Sequence, residues 1–220
     1  MRAVNLLSHS IPNLRVQDTA RQALQLMTDY HITHLPVTQD DKYLGLVEEN
    51  ELLDVEDDSK SIEELGMMLN KVAIAEEEHF LAALRLWKKM HLSVIPVVRL
   101  DGEFLGVITT SELLIALDEY TGAEEPGGLI ILSMEPRNFS LSEIGRLVES
   151  NDATVVHVTT QKDPNTGMLT VSIKLNRNDI QDVLATFQRY EYVIETYFGD
   201  NLSEDDLRSN YAHLMNYLNI

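Results

Sequence analysis

The run Gly106-Val107-Ile108-Thr109-Thr110-Ser111-Glu112 gathers groups suited to holding a small polar ligand. A glycine lets a ligand come close to the backbone because it has no Cβ. A carboxylate can accept from two adjacent hydroxyls, each charge-assisted bond being worth about 1.5–3 kcal/mol. Thr109 and Ser111 place hydroxyls beside that carboxylate. The chain uses the same frame earlier, as Gly45-Leu46-Val47-Glu48-Glu49-Asn50-Glu51. The alternative reading of Gly45 and Gly106 is that each only eases a strand into a turn. Other chemistry is thin. His31, His34 and His91 lack the partners of a metal site, and satisfied loop histidines are the expectation. No acid/base pair stands out among the many carboxylates. No Gly-Lys phosphate loop, serine elbow or His-Glu zinc motif occurs, so catalysis is not expected.

These groups must be positioned by a unit that the chain uses twice. His31-Ile-Thr-His-Leu-Pro36-Val37 returns as His91-Leu-Ser-Val-Ile-Pro96-Val97 at an offset of 60, and Gly45 and Glu51 return as Gly106 and Glu112 at 61. Ala20, Ala23, Leu24 and Met27 are echoed by Phe80, Ala83, Leu84 and Trp87. Such a repeat is one supersecondary unit duplicated. Each copy predicts strand, helix, strand, strand, helix: a short extended piece at Ile11–Val16, a helix capped by Asp18, and strands near His34–Thr38 and Tyr43–Val47. In the second copy the strands are Val94–Val98 and Phe104–Ile108 around an Asp101-Gly102 turn, with a closing helix over Glu112–Tyr120. Residues 54–66 read as an acidic bridge. Neither unit of about 60 residues buries enough surface alone, so repeat 1 (1–60) and repeat 2 (61–122) should pack together.

The stretch 121–128 is punctuated like a linker. Beyond it, residues 129–199 predict βαββαβ, the split ferredoxin-like order with two helices on one face of an antiparallel sheet. Its first helix opens with the box Ser140-Leu-Ser-Glu143 and carries Leu141, Ile144, Leu147 and Val148; its second carries Ile180, Val183, Leu184 and Phe187. Residues 200–220 predict an amphipathic helix capped by Ser203, with Leu207, Tyr211, Leu214, Met215 and Leu218 as its stripe. That stripe packs within its own chain or dimer, or docks a protein partner.

Composition sets the outer limits. The 220 residues are 44% hydrophobic and 24% charged, with a net charge of −19 and no cysteine. So acidic a chain repels nucleic-acid phosphates and anionic membranes, and neither is expected as a partner. Disulfides and thiolate sites are excluded. No run approaches the ~18–20 apolar residues of a membrane span, and the first residues are too polar for a secretory signal. The expectation is a cytoplasmic protein.

The repeat resembles the cystathionine-β-synthase (CBS) domain, which occurs in tandem pairs called Bateman modules. Leu35-Pro36-Val37 and Ile95-Pro96-Val97 match its apolar-Pro-Val strands, and the two glycine frames match its Gly-apolar-apolar-Thr-x-x-Asp signature. The third part is similar to an ACT domain, and the combination is similar to acetoin-utilisation AcuB-like proteins. The resemblance implies an α+β chain: a CBS pair, an ACT-like domain and a C-terminal helix. It implies a non-catalytic, homodimeric regulator binding AMP, ADP, ATP or S-adenosylmethionine between the repeats, with the Asp on the ribose hydroxyls and the Thr near ribose and phosphate. Carried over, the site is Ile95, Pro96, Gly106, Thr109, Ser111 and Glu112 in one copy and Leu35, Pro36, Gly45 and Glu51 in the other. Both copies put Glu where Asp is usual, which moves the charge ~1.5 Å outward. Glu48 replaces the Thr with a charge repelling phosphate by about 1–4 kcal/mol, so the second copy is the better site. The ACT-like loop Glu135–Ser140 has no glycine; a dimerising module is expected, with Arg137 and Asn138 able to meet a carboxylate at the helix N-terminus. The alternative is an adaptor dimer that has lost ligand binding and docks a partner through its last helix.

Overall fold

In the computed structural model, which describes residues 1–8 and 10–199, each repeat is a small three-stranded sheet with helices packed on it. In repeat 1, β1 (Leu14–Arg15) runs parallel to β2 (His34–Gln39), which pairs antiparallel with β3 (Lys42–Glu48). Between β1 and β2 lies α1 (Ala20–Tyr30), and α2 (Glu49–Leu53) follows β3. Ala20, Ala23 and Met27 are buried along one face of α1, as their spacing predicts. The cap of α1 is Thr19, in a reciprocal box with Gln22, and not Asp18, whose carboxylate accepts instead from the Arg15 N–H at 2.7 Å.

The acidic bridge holds more structure than its composition suggests. A one-turn helix, α3 (Ile62–Leu65), is capped by Ser61 and Glu64 and buries Ile62. Repeat 2 then restarts with β4 (Ile74–Ala75), α4 (Leu81–Met90), β5 (Val94–Val98), β6 (Phe104–Thr109) and α5 (Thr110–Thr121), in the same parallel-then-antiparallel order. Ala83 is buried on α4, but Trp87 is 37% exposed, so the expected apolar stripe ends before it.

Each repeat lends a piece of backbone to the other. Ser8 donates its N–H to Val107 O at 2.8 Å, laying the N-terminal segment along β6. Asn70 and Leu46 exchange N–H···O bonds of 2.8 and 3.0 Å, laying the segment before β4 along β3. Pro36 faces Leu46 and Pro96 faces Val107, so at both positions the opposite residue spends backbone groups on the far side. Neither proline is asked for the N–H that it lacks. The hairpin tips join as well: the Tyr43 N–H donates to Gly102 O at 3.0 Å and the Phe104 N–H to Asp41 O at 2.8 Å, with the two rings stacked at 6.1 Å. One continuous core, from Ala3 to Ala116, results.

These two repeats form one compact unit, Met1–Tyr120; the second unit begins at Thr121. There β7 (Leu129–Met134), α6 (Leu141–Glu149), β8 (Val155–Lys162), β9 (Leu169–Leu175), α7 (Gln181–Arg189) and β10 (Val193–Phe198) give an all-antiparallel sheet ordered β10-β7-β9-β8. That is the expected split ferredoxin-like arrangement. Ile144, Leu147, Val148, Ile180, Val183, Leu184 and Phe187 are buried in its core. Leu141 is 55% exposed and lies off the buried face. Ser140 caps α6 at Glu143 N, while the Glu143 carboxylate turns to the Tyr192 hydroxyl and, after burial, contributes to raising that phenol's pKa. The helix expected over 200–220 lies outside the described residues.

Candidate functional site

Between the repeats opens a cleft of about 540 Å³. One wall is the N-terminus of α5 with the end of β6: Thr109, Thr110, Ser111 and Glu112. Ser93 adds a hydroxyl from the start of repeat 2's hairpin, while Ser8, Ser10, Ile11 and Tyr30–Ile32 line the cleft from repeat 1. The wall thus presents hydroxyls from four separate segments, the composition needed to hold a sugar or similar polyol.

The geometry at Thr109 and Glu112 has a local cause. Thr109-x-x-Glu112 supplies the carboxylate half of a capping box for α5: Glu112 Oε2 accepts from the Thr109 N–H at 3.1 Å and from the Thr109 hydroxyl. Both bonds fall on Oε2, which leaves Oε1 outside the cap. Glu51 occupies the same place in repeat 1, with Oε2 accepting from the Glu48 N–H at 3.3 Å. The two signature carboxylates are thus helix caps before they are anything else.

Four other residues carried over by the resemblance sit elsewhere. Leu35 and Ile95 have no exposed surface and belong to the core, and Pro36 and Pro96 are buried between strands, so their side chains do not line the cleft. Gly45 and Gly106 lie at β-bulges, with φ of 153° and 145°. A Cβ on Gly45 would sit 2.6 Å from Leu69 Cβ and 3.0 Å from Asn70 O, so what approaches that backbone is the chain itself. A Cβ on Gly106 would meet the end of the Leu7 side chain at 3.3 Å, with Ser8 O at 3.8 Å. The glycine requirement follows from bulge geometry and the crossing segment.

The histidines divide into two roles. His31 and His91 are left-handed C-caps of α1 and α4, their N–H groups closing the last turns. His34 is buried where the repeats meet: its Nδ1 accepts from the Ser93 N–H at 3.3 Å and lies 3.0 Å from the Thr33 hydroxyl, while the Thr33 N–H donates to Ser93 Oγ at 3.0 Å. Burial lowers its pKa, against the opposing pull of Glu48 and Glu51. Among the described residues no group of three His, Cys, Asp or Glu side chains is placed to hold a metal.

In the second unit, Arg137 and Asn138 stand in a 3₁₀ turn at the mouth of a cavity of about 660 Å³. Tyr190, Tyr192 and Glu143 line its other side. Arg137 pairs with Glu135 at 2.6 Å, both side chains being well exposed. The cleft residues Ser8, Ser10, Ser93 and Tyr30 escaped the sequence reading. The offset pair Thr33/Ser93 was the available signal for one of them, while the role of the N-terminal segment depends on a pairing some hundred residues away.

Comparison with known proteins agrees with this architecture. The CBS domain family matches residues 3–58 and 62–119, together just over half of the chain. This protein belongs to the CBS-domain family, with two tandem copies. It is 29% identical over 119 residues to homoserine O-acetyltransferase of Methanobrevibacter ruminantium, and 28% identical over 101 residues to inosine-5'-monophosphate dehydrogenase of Methanocaldococcus jannaschii. These alignments cover 53% and 44% of this chain but only 24% and 20% of those enzymes, and they run through the CBS repeats. Among solved structures, a CBS domain pair/ACT domain protein of Thermotoga maritima superposes with a TM-score of 0.50 at 24% identity, covering 55% of this chain and 98% of that one. No helix among the described residues is long and apolar enough to cross a membrane.

Proposed function

We propose that this chain is a non-catalytic cytoplasmic regulator whose CBS pair takes an adenosine-containing ligand, of the class of AMP, ADP, ATP and S-adenosylmethionine, in the cleft at Thr109, Ser111 and Glu112. One observation carries the reading: the cleft draws its hydroxyl-rich walls from both repeats and includes the Glu112 carboxylate, whose Oε1 the helix cap does not use. A ribose diol on Glu112 Oε1 would tie α5 to the N-terminal segment and to the end of α1, so occupancy would stiffen the junction between the repeats. The ACT-like unit would supply homodimer contacts and carry the change to a protein partner.

Thermal unfolding against those four ligands tests this. A ligand at a hundred times its dissociation constant adds about 2.7 kcal/mol, which moves the midpoint of a chain this size by roughly 5–10 °C. Thr109→Ala removes a cap worth about 1 kcal/mol on its own, so each variant is compared with its own ligand-free midpoint. Thr109→Ser, which keeps the hydroxyl, should keep most of the ligand shift. An absence of any shift would instead favour an adaptor dimer. That second reading draws on the capping duty of Glu51 and Glu112 and on the covering of Gly45 by Leu69 and Asn70.

A further inference from the structure

We infer that the cleft selects adenosine ligands whose 5′ substituent is uncharged or cationic, and discriminates against nucleotides. This rests on the adenosine reading above and narrows it. Three cavities of the first unit share lining residues. The cleft shares Glu112 with a pocket of about 360 Å³ between α5 and the N-terminal segment, and shares Ser8 and Ile11 with another of about 320 Å³ beside Gly106. Their charged lining is Asp29, Glu112, Glu119 and Asp41. Among the described residues neither lysine nor arginine lines any of the three; the basic groups of the lining residues are the His31 imidazole and the α-amino group of Met1.

Phosphoryl groups are held by arginine and lysine or by free amides at a helix start. Here the α5 terminus carries Glu112 in its own first turn, and that carboxylate already takes the Thr109 N–H. The partial positive charge of a helix end, about half a unit, is outweighed by a full negative charge at the same place. The pocket beyond Glu112 is lined by Met1, Leu6, Leu7 and Ile115, with Asn5 and Glu119 as its other polar residues. A largely apolar pocket lined by two carboxylates fits a short aliphatic chain bearing a sulfonium or ammonium better than it fits a phosphate. The net charge of −19 adds a repulsion that grows with each phosphate.

Titration calorimetry on the full chain, without divalent cations and at constant ionic strength, tests this with adenosine, 5′-methylthioadenosine, S-adenosylmethionine, AMP, ADP and ATP. The expected order places the first three at least about tenfold tighter than AMP, with ADP and ATP weaker still. AMP or ATP binding as tightly as adenosine would overturn the selectivity while leaving the adenosine reading in place. Binding of none of the six would overturn both. Glu119→Lys, at an exposed helical position, should raise AMP affinity by about tenfold relative to adenosine affinity. Unchanged AMP affinity in that variant would also overturn the inference.

Discussion

Glu112 is where the fold and the proposed ligand site meet in one side chain. Its Oε2 closes the α5 capping box, so replacing it by glutamine, which also fits a capping box, should leave stability nearly intact. The same change removes the charge that strengthens a hydroxyl bond and should weaken adenosine binding by about tenfold, a split between stability and affinity that calorimetry reads directly. The glycines differ in the same analysable way. At Gly45 a Cβ has φ +153° and Leu69 and Asn70 against it, so Gly45→Ala should cost roughly 2–4 kcal/mol in urea unfolding; at Gly106 the obstacle is a side-chain end, and Gly106→Ala should cost less. His34 sets a pH dependence. Burial depresses its folded-state pKa, so below the ordinary value of about 6.5 the unfolded chain binds more protons than the folded one. Stability should therefore fall as pH drops from about 6.5 toward that depressed pKa. His34→Asn, whose side-chain oxygen can still accept from the Ser93 N–H, should flatten the slope in that range.

At the scale of elements, the N-terminal segment is a working part of repeat 2. It bonds β6 through Ser8, buries Ala3 completely and forms part of the cleft wall. Removing residues 1–8 should lower unfolding stability by roughly 2–5 kcal/mol, from the apolar area of Ala3, Leu6 and Leu7 returned to water, and should abolish the adenosine-induced midpoint shift as well. A loss of stability with the shift intact would show that the segment only packs. The equivalent segment at 67–72 covers β3 and has Gly45 beneath it, so a Cβ there would meet backbone and Leu69 Cβ more tightly than one on Gly106 would meet the N-terminal segment.

At the scale of the molecule, the core running from Ala3 to Ala116 and the core running from Ile130 to Phe187 share no residue, and residues 123–126 between them are exposed. Limited proteolysis should cut first in that stretch, and the 1–120 fragment should keep the midpoint shift of the whole chain with adenosine ligands. A fragment that unfolds on cleavage would mean that the second unit is needed to hold the first together.

Much of this was legible in the chain because it is written in local periodicity. The offset of 60, the apolar-Pro-Val strands, the α1 stripe and the βαββαβ order of residues 129–199 are patterns of spacing, and burial on a strand or helix face follows from spacing. The cap of α5 was equally local, since Thr109-x-x-Glu112 has the capping-box spacing read at Ser140. Other decisions needed the tertiary structure. That Leu35 and Ile95 lie in the core, that Trp87 faces outward, that Gly45 is covered by Leu69, and that Ser8 and Ser93 share one cleft with Glu112 all depend on pairings between residues dozens to a hundred positions apart. Spacing along a chain says which face a side chain takes, whereas only the packing of one face on another decides whether that side chain meets solvent, ligand or its own chain.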